Sequence, residues 1–137
     1  MRILTSVVGL AVMAALATAA KAQDAYVIGL TGALTGPSAS TTAPPVEGLR
    51  IYIDRVNAAG GVNGKPVKLR ILDDQADPQK AAANARQLVE ENAILLIDSS
   101  LSSTYAPVIA EAKRADVPLM FVGAVCPKEV YPPAESG

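Results

Sequence analysis

Residues 94–105 read ILLIDSSLSSTY and combine a short apolar run, a hydroxyl-rich turn and the start of a helix. The run ends at Asp98, and five of the next six residues carry hydroxyl groups. A helix is predicted from about residue 104 to residue 115. The first N–H groups of a helix have no partner inside it and the helix dipole is positive there, so this turn is suited to bind a small anion. The alternative is that Ser103 or Thr104 only caps the helix.

The rest of the chain repeats this order of apolar strand, loop and helix. Apolar runs predict strands at residues 26–30, 67–72, 94–97 and 118–123, and apolar residues at helical spacing predict three intervening helices. Strands that alternate with helices predict an α/β fold with a parallel sheet and helices on both faces. Ligands of such sheets bind beyond the carboxyl ends of the strands. The loops at residues 31–43, 98–103 and 124–127 are expected to meet there.

Turn and cap residues mark the ends of the predicted elements. Pro44-Pro45 predicts the start of the first helix, which leaves residues 31–43 as a loop. Asn63-Gly64 predicts a tight turn before the second strand. Asp77 followed by Pro78 has the pattern of an N-cap and a first helical residue, and it predicts the start of the second helix.

The first 22 residues have the organisation of a secretory signal peptide. Arg2 gives a positive start, residues 3–20 carry no charge, and Ala20-Lys21-Ala22 fits a cleavage site between small residues. We therefore expect a mature chain of residues 23–137 that works outside the cytoplasm. A membrane anchor is the alternative, but many residues of the uncharged run are Ala, Thr, Ser or Gly, which insert weakly into a bilayer.

Composition excludes several classes of function. The chain has no His and a single Cys, Cys126, which excludes the usual Cys/His zinc sites and any Ser-His-Asp or Cys-His arrangement within it. A formal net charge of −1 gives no reason to expect a nucleic-acid partner. Asp73, Asp74 and Asp77 do not have the spacing of a calcium loop. Neither a metal nor a cofactor is predicted.

The order of these segments resembles the type I periplasmic solute-binding proteins, in the branched-chain amino acid group of ABC importers. The resemblance covers residues 26 to about 133, and its most specific part is GGVNGKP at residues 60–66 followed by Asp73-Asp74 and Pro78. Members of this family bind a small solute between two lobes and deliver it to a membrane permease, without doing chemistry. Residues 23–137 are similar to the first segment of the N-terminal lobe, with the second lobe absent.

The resemblance also implies which residues contact the solute. Ser102 and Ser103 match the loop that binds the ligand carboxylate through a hydroxyl and a backbone N–H. Ala124 matches a backbone carbonyl that binds the ligand ammonium, and Cys126 replaces a hydroxyl-bearing residue. Thr41 stands where an aromatic residue is often found. These two departures imply a ligand that differs in shape from a standard α-amino acid. Residues 124–133 (AVCPKEVYPP) resemble the subset of the family that takes aromatic or other organic acids, so the resemblance implies an amino acid or an aromatic or other organic acid as the solute.

The resemblance implies two partners, a small carboxylate-bearing solute and the ABC permease of the inner membrane, and a monomeric periplasmic protein. A second hypothesis is a ligand-sensing domain of a receptor or regulator with the same fold. A third is a secreted enzyme built on an open sheet, although the chain offers no His and no activated nucleophile.

Overall fold

The computed structural model describes residues 25–122, which form four strands and three helices. In chain order these are β1 (Tyr26–Gly32), α1 (Ala39–Ala58), β2 (Val67–Asp73), α2 (Pro78–Glu90), β3 (Ala93–Ser99), α3 (Ser102–Ala115) and β4 (Leu119–Phe121). The strands form one parallel sheet in the order β2-β1-β3-β4. The predicted α/β fold is confirmed. The predicted signal peptide and the loop at residues 124–127 lie outside the described residues.

Helices cover both faces of the sheet because successive side chains of a strand point to opposite faces. Ile97 of β3 lies in an apolar cluster with Val46 of α1. Its neighbour Leu96 lies in the other cluster, with Leu88 of α2 and Val108 of α3. Thus α1 packs on one face, and α2 and α3 pack side by side on the opposite face.

The chain reverses direction across the sheet at β1. It leaves β1 through α1 to reach β2 on one side, and then returns through α2 to β3 on the other side. The loops that follow β1 and β3 therefore start next to each other and move apart onto opposite faces. Gly32 at the end of β1 is aligned with Ser99 at the end of β3. This reversal point is where open α/β sheets bind their ligands.

The prediction that Pro44-Pro45 starts the first helix is wrong, because α1 begins at Ala39 and contains both prolines. The amides of Thr41 and Thr42 donate to the carbonyl of Ser38, which begins the helix before the prolines are reached. The prolines cannot donate to the carbonyls of Ser40 and Thr41. Both of those residues are exposed, so water can satisfy the two carbonyls.

Other predicted ends agree with the structure. Asp77 caps α2 by accepting hydrogen bonds from the amides of Gln79 (2.8 Å) and Lys80 (3.0 Å), and Pro78 is the first residue of α2. Asn63 and Gly64 both have positive φ, and they connect the bridged residues on either side in a tight turn. Within residues 25–122, no helix is both long enough and apolar enough to cross a bilayer.

Candidate functional site

The start of α3 lies at the carboxyl edge of the sheet and presents two exposed serines. Leu101 occupies the N-cap position without a side-chain cap, so the alternative that Ser103 or Thr104 caps the helix is wrong. Ser102 and Ser103 are the first two helical residues, and both are exposed. The amides of these residues have no acceptor within the helix. Together with the two hydroxyls, they form a group of donors at the positive end of the helix dipole.

Thr41 lies at the same edge of the sheet, on the first turn of α1. It is exposed, and it belongs to the helix instead of the predicted loop. The adjacent Thr42 is buried, and its hydroxyl donates to the carbonyl of Ala33 just beyond β1. The hydroxyl of Ser99 donates to the carbonyl of Thr42 at 3.2 Å. These bonds hold the start of α1 against the end of β3.

The two remaining predicted site residues, Ala124 and Cys126, lie outside the described residues. The last described residue, Val122, follows β4 and donates its amide to the carbonyl of Asp98 at 2.9 Å. This bond holds Val122 beside the end of β3.

Asp73 holds the loop that follows β1. Its carboxylate accepts from the amide of Leu34 at 3.0 Å and from the hydroxyl of Thr35. Burial raises the pKa of Asp73, but the hydrogen bonds from the Thr35 hydroxyl and from the amides of Gln75, Leu34 and Thr35 lower it, and the net pKa is below the usual value. The carboxylate form of Asp73 is thus the form that orders this loop.

Asp98 is a fully buried carboxyl group beneath the start of α3. The hydroxyl of Thr104 lies 3.1 Å from one carboxyl oxygen of Asp98 and 2.8 Å from the carbonyl of Leu101. Burial raises the pKa of Asp98 to about 7, against the lowering effect of the hydrogen bond with Thr104. The negative charge of Asp74 raises it further, whereas the amide of Ser100 lowers it.

Sequence reasoning did not assign a role at this edge to Asp73, Asp74 or Asp98. Each lies at or just past the carboxyl end of a strand, and that position is the signal that could have identified them. Within the described residues, no three Cys, His, Asp or Glu side chains lie close enough together to hold a metal ion. Exposed hydroxyls at a helix N-terminus, as at the start of α3, are suited to bind a small anion.

Comparison with known sequences identifies one family. The sequence model described as "Periplasmic binding protein" matches residues 25–135. An amino acid binding protein of Pseudomonas aeruginosa is 31% identical over 123 residues, which cover 89% of this chain and 33% of the relative. The leucine-, isoleucine-, valine-, threonine- and alanine-binding protein of the same organism is 30% identical over 116 residues, with 85% and 31% covered.

Solved structures agree with the sequence comparison. A branched-chain amino acid transporter substrate-binding protein from Streptococcus pneumoniae, in complex with isoleucine, superposes with a TM-score of 0.68 at 26% identity. The match covers 72% of this chain and 28% of that one. A type 1 periplasmic binding protein from Bordetella pertussis superposes with a TM-score of 0.64 at 30% identity, covering 71% and 26%. The chain spans about a third of the length of the curated relatives it matches.

Proposed function

The chain belongs to the type I periplasmic binding protein family, in its branched-chain amino acid group, and on that premise we propose that it is the solute-binding component of an ABC importer. Proteins of this family bind solutes and are periplasmic. The relatives are amino acid binding proteins, and one structural neighbour is named as part of a branched-chain amino acid transporter. The function proposed for this chain is to bind a small carboxylate-bearing solute and deliver it to a permease.

The observation that carries the proposal is the start of α3. Ser102 and Ser103 are exposed together at the point where the sheet reverses direction, and their two amides have no acceptor within the helix. A carboxylate gains roughly 1.5–3 kcal/mol from each charge-assisted hydrogen bond, and the helix dipole adds a fraction of that. Donors of this kind bind a carboxylate without any lysine or arginine.

The solute class follows from the other predicted contact residues. We propose an amino acid or an aromatic or other organic acid, with Ala124 and Cys126 lining the site next to the serines and Thr41 facing it from α1. A threonine in place of an aromatic side chain leaves more room on the α1 side. A thiol in place of a hydroxyl is a weaker hydrogen-bond acceptor, which disfavours recognition of the donating α-ammonium group of a standard α-amino acid at that point.

The location and organisation of the protein are part of the same proposal. Residues 1–22 are the cleaved signal peptide, and residues 23–137 are the first segment of the N-terminal lobe of a monomeric periplasmic protein. In this arrangement the site described above forms one side of the solute cleft. The permease subunits in the inner membrane receive the solute, and the protein itself does no chemistry.

Replacing the two serines tests this proposal. Ser102→Ala and Ser103→Ala each remove one hydroxyl donor to the carboxylate, and each should raise the dissociation constant for the solute about ten- to a hundredfold. The protein, purified in the form that its host makes, is titrated by calorimetry with L-isoleucine and with benzoate. Tyr52→Phe is the control, because it removes a hydroxyl from a side chain of α1 that is 66% exposed and should leave the constant unchanged.

Two results would contradict the proposal. If both serine variants bind with the wild-type dissociation constant, the start of α3 is not the carboxylate site. If the wild-type protein binds neither probe while it binds an uncharged solute, the proposed solute class is wrong.

A further inference from the structure

Asp74 is a fully buried carboxylate just past the end of β2, and it joins three segments of the chain. One carboxyl oxygen accepts from the hydroxyl of Thr31 of β1 at 2.8 Å. The other accepts from the hydroxyl of Ser100 and from the amide of Ala76, each at 2.8 Å. Among the ion pairs of the described residues, none involves Asp74. Hydroxyl and amide donors alone therefore hold its carboxylate.

The direction of the hydrogen bond between Thr31 and Asp74 is determined by a neighbouring side chain. The side-chain amide of Asn84 of α2 donates to the hydroxyl oxygen of Thr31 at 3.1 Å. Thr31 must therefore direct its own proton to the carboxylate of Asp74. An asparagine at position 74 would place an N–H donor where one of these acceptors is needed. The network requires a carboxylate at this position.

Ser100 connects this network to the solute site. It is only 5% exposed, and it lies between the end of β3 and the N-cap of α3. Its hydroxyl donates to the carboxylate of Asp74. The amide of Asp74 in turn donates to the carbonyl of Gly32 at 2.9 Å. The Ser100 hydroxyl thus links the turn that presents Ser102 and Ser103 to β1 and to the end of β2. Buried polar networks that are fully satisfied make a local structure rigid.

We propose that Asp74 is a positioning residue for the solute site. It does not touch the solute, and it sets the place of the helix N–H groups and serine hydroxyls through Ser100. This inference rests on the proposed function, since it takes the start of α3 to be the carboxylate site. Its consequence is that a change at residue 74 weakens solute binding in protein that remains folded.

The test uses the variants Asp74→Asn, Ser100→Ala and the double variant, in the protein as its host makes it. Asp74→Asn should raise the dissociation constant for the bound probe, L-isoleucine or benzoate, about tenfold, and Ser100→Ala about threefold. The double variant should bind no more weakly than Asp74→Asn, because both changes break the same connection. Asp77→Asn is the matched control, since asparagine caps a helix as well as aspartate does.

A second measurement reports the position of α3 without any ligand. The amide of Thr104 donates to the carbonyl of Leu101 in the first turn of α3. Its hydrogen exchange should become about tenfold faster in Asp74→Asn and stay unchanged in Asp77→Asn. Ser100→Ala should show the same effect more weakly, and it serves as the test if Asp74→Asn does not fold.

The outcomes separate this inference from the proposed function. If Asp74→Asn only lowers the melting temperature, with dissociation constant and Thr104 exchange unchanged, Asp74 is structural and the inference is overturned while the proposed function stands. If the wild type binds neither probe while it binds an uncharged solute, the proposed solute class is wrong. The hydrogen exchange of the Thr104 amide in Asp74→Asn then decides whether Asp74 positions the start of α3. If that exchange is the same as in the wild type, the inference about Asp74 is overturned as well.

Discussion

The burial of a single residue, Asp98, makes the stability of the fold depend on pH. Its side chain is fully buried, its pKa is raised to about 7 by burial first and by the charge of Asp74 to a lesser degree, and its hydrogen bond with Thr104 opposes the rise. An aspartate in an unfolded chain has a pKa of about 4. Between these two values the folded state holds a proton that the unfolded state has released. The contribution of Asp98 to the free energy of unfolding is therefore greatest below about pH 4, and it is lost as the pH rises through the folded pKa of about 7.

Asp98→Asn should remove this pH dependence. The variant cannot ionise, so its free energy of unfolding should rise relative to wild type as the pH increases from 5 to 8, by roughly 2–4 kcal/mol. Urea unfolding of both proteins at several pH values measures the difference. A difference that is the same at pH 5 and pH 8 would show that Asp98 does not titrate in this range.

At the scale of the secondary-structure elements, the packing of α2 on β1 depends on one glycine, Gly29. A Cβ atom at Gly29 would lie 2.9 Å from the Cβ of Leu88 and 3.1 Å from a methyl group of Leu96. The absence of a side chain at this position lets the helix lie close to the strand. Because Leu88 and Leu96 are both fully buried, neither can move away easily.

Gly29→Ala should therefore destabilise the fold by about 1–3 kcal/mol through overpacking. Gly48→Ala is the matched control, because a Cβ on that residue of α1 would meet no atom within 4 Å. That control should stabilise the protein by about 0.5–1 kcal/mol through helix propensity. Thermal unfolding of the two variants gives the comparison, and equal melting temperatures would refute the close approach of α2 to β1.

At the scale of the whole molecule, the described residues form one sheet with one reversal point. On the α1 face, a cavity of about 210 Å³ lies between α1, β3 and β4, and its lining is almost wholly apolar. Met120 of β4, which lines this cavity, is 46% exposed. A single helix therefore covers the α1 face of the described sheet less completely than α2 and α3 cover the other face.

Residues 23–137 by themselves should bind solute weakly or not at all. The relatives that they match are about three times as long, and the proposed site would contact a ligand from one side only. Without a facing surface, the carboxylate stays in contact with water and each hydrogen bond contributes less. Calorimetry of this segment with L-isoleucine and benzoate should give no dissociation constant below about a millimolar. Micromolar binding would contradict this expectation.

The sequence by itself determined the features that depend on neighbouring residues. The order of strands and helices followed from the spacing of apolar residues, the tight turn from Asn63-Gly64, and the start of α2 from Asp77 and Pro78. These signals are local, because backbone conformation and end groups are set within a few residues. The hydroxyl-rich turn after β3 was visible for the same reason.

Only the tertiary structure decided where α1 begins and what the aspartates do. Helix α1 starts before its two prolines because Thr42 and the end of β3 hold its first turn in place. Asp74 meets Ser100 and Thr31 across 26 and 43 residues of sequence. A parallel sheet brings the ends of distant strands together. The carboxylate of Asp74, which the sequence places in a loop, therefore becomes a buried hydrogen-bond acceptor once the strands pair.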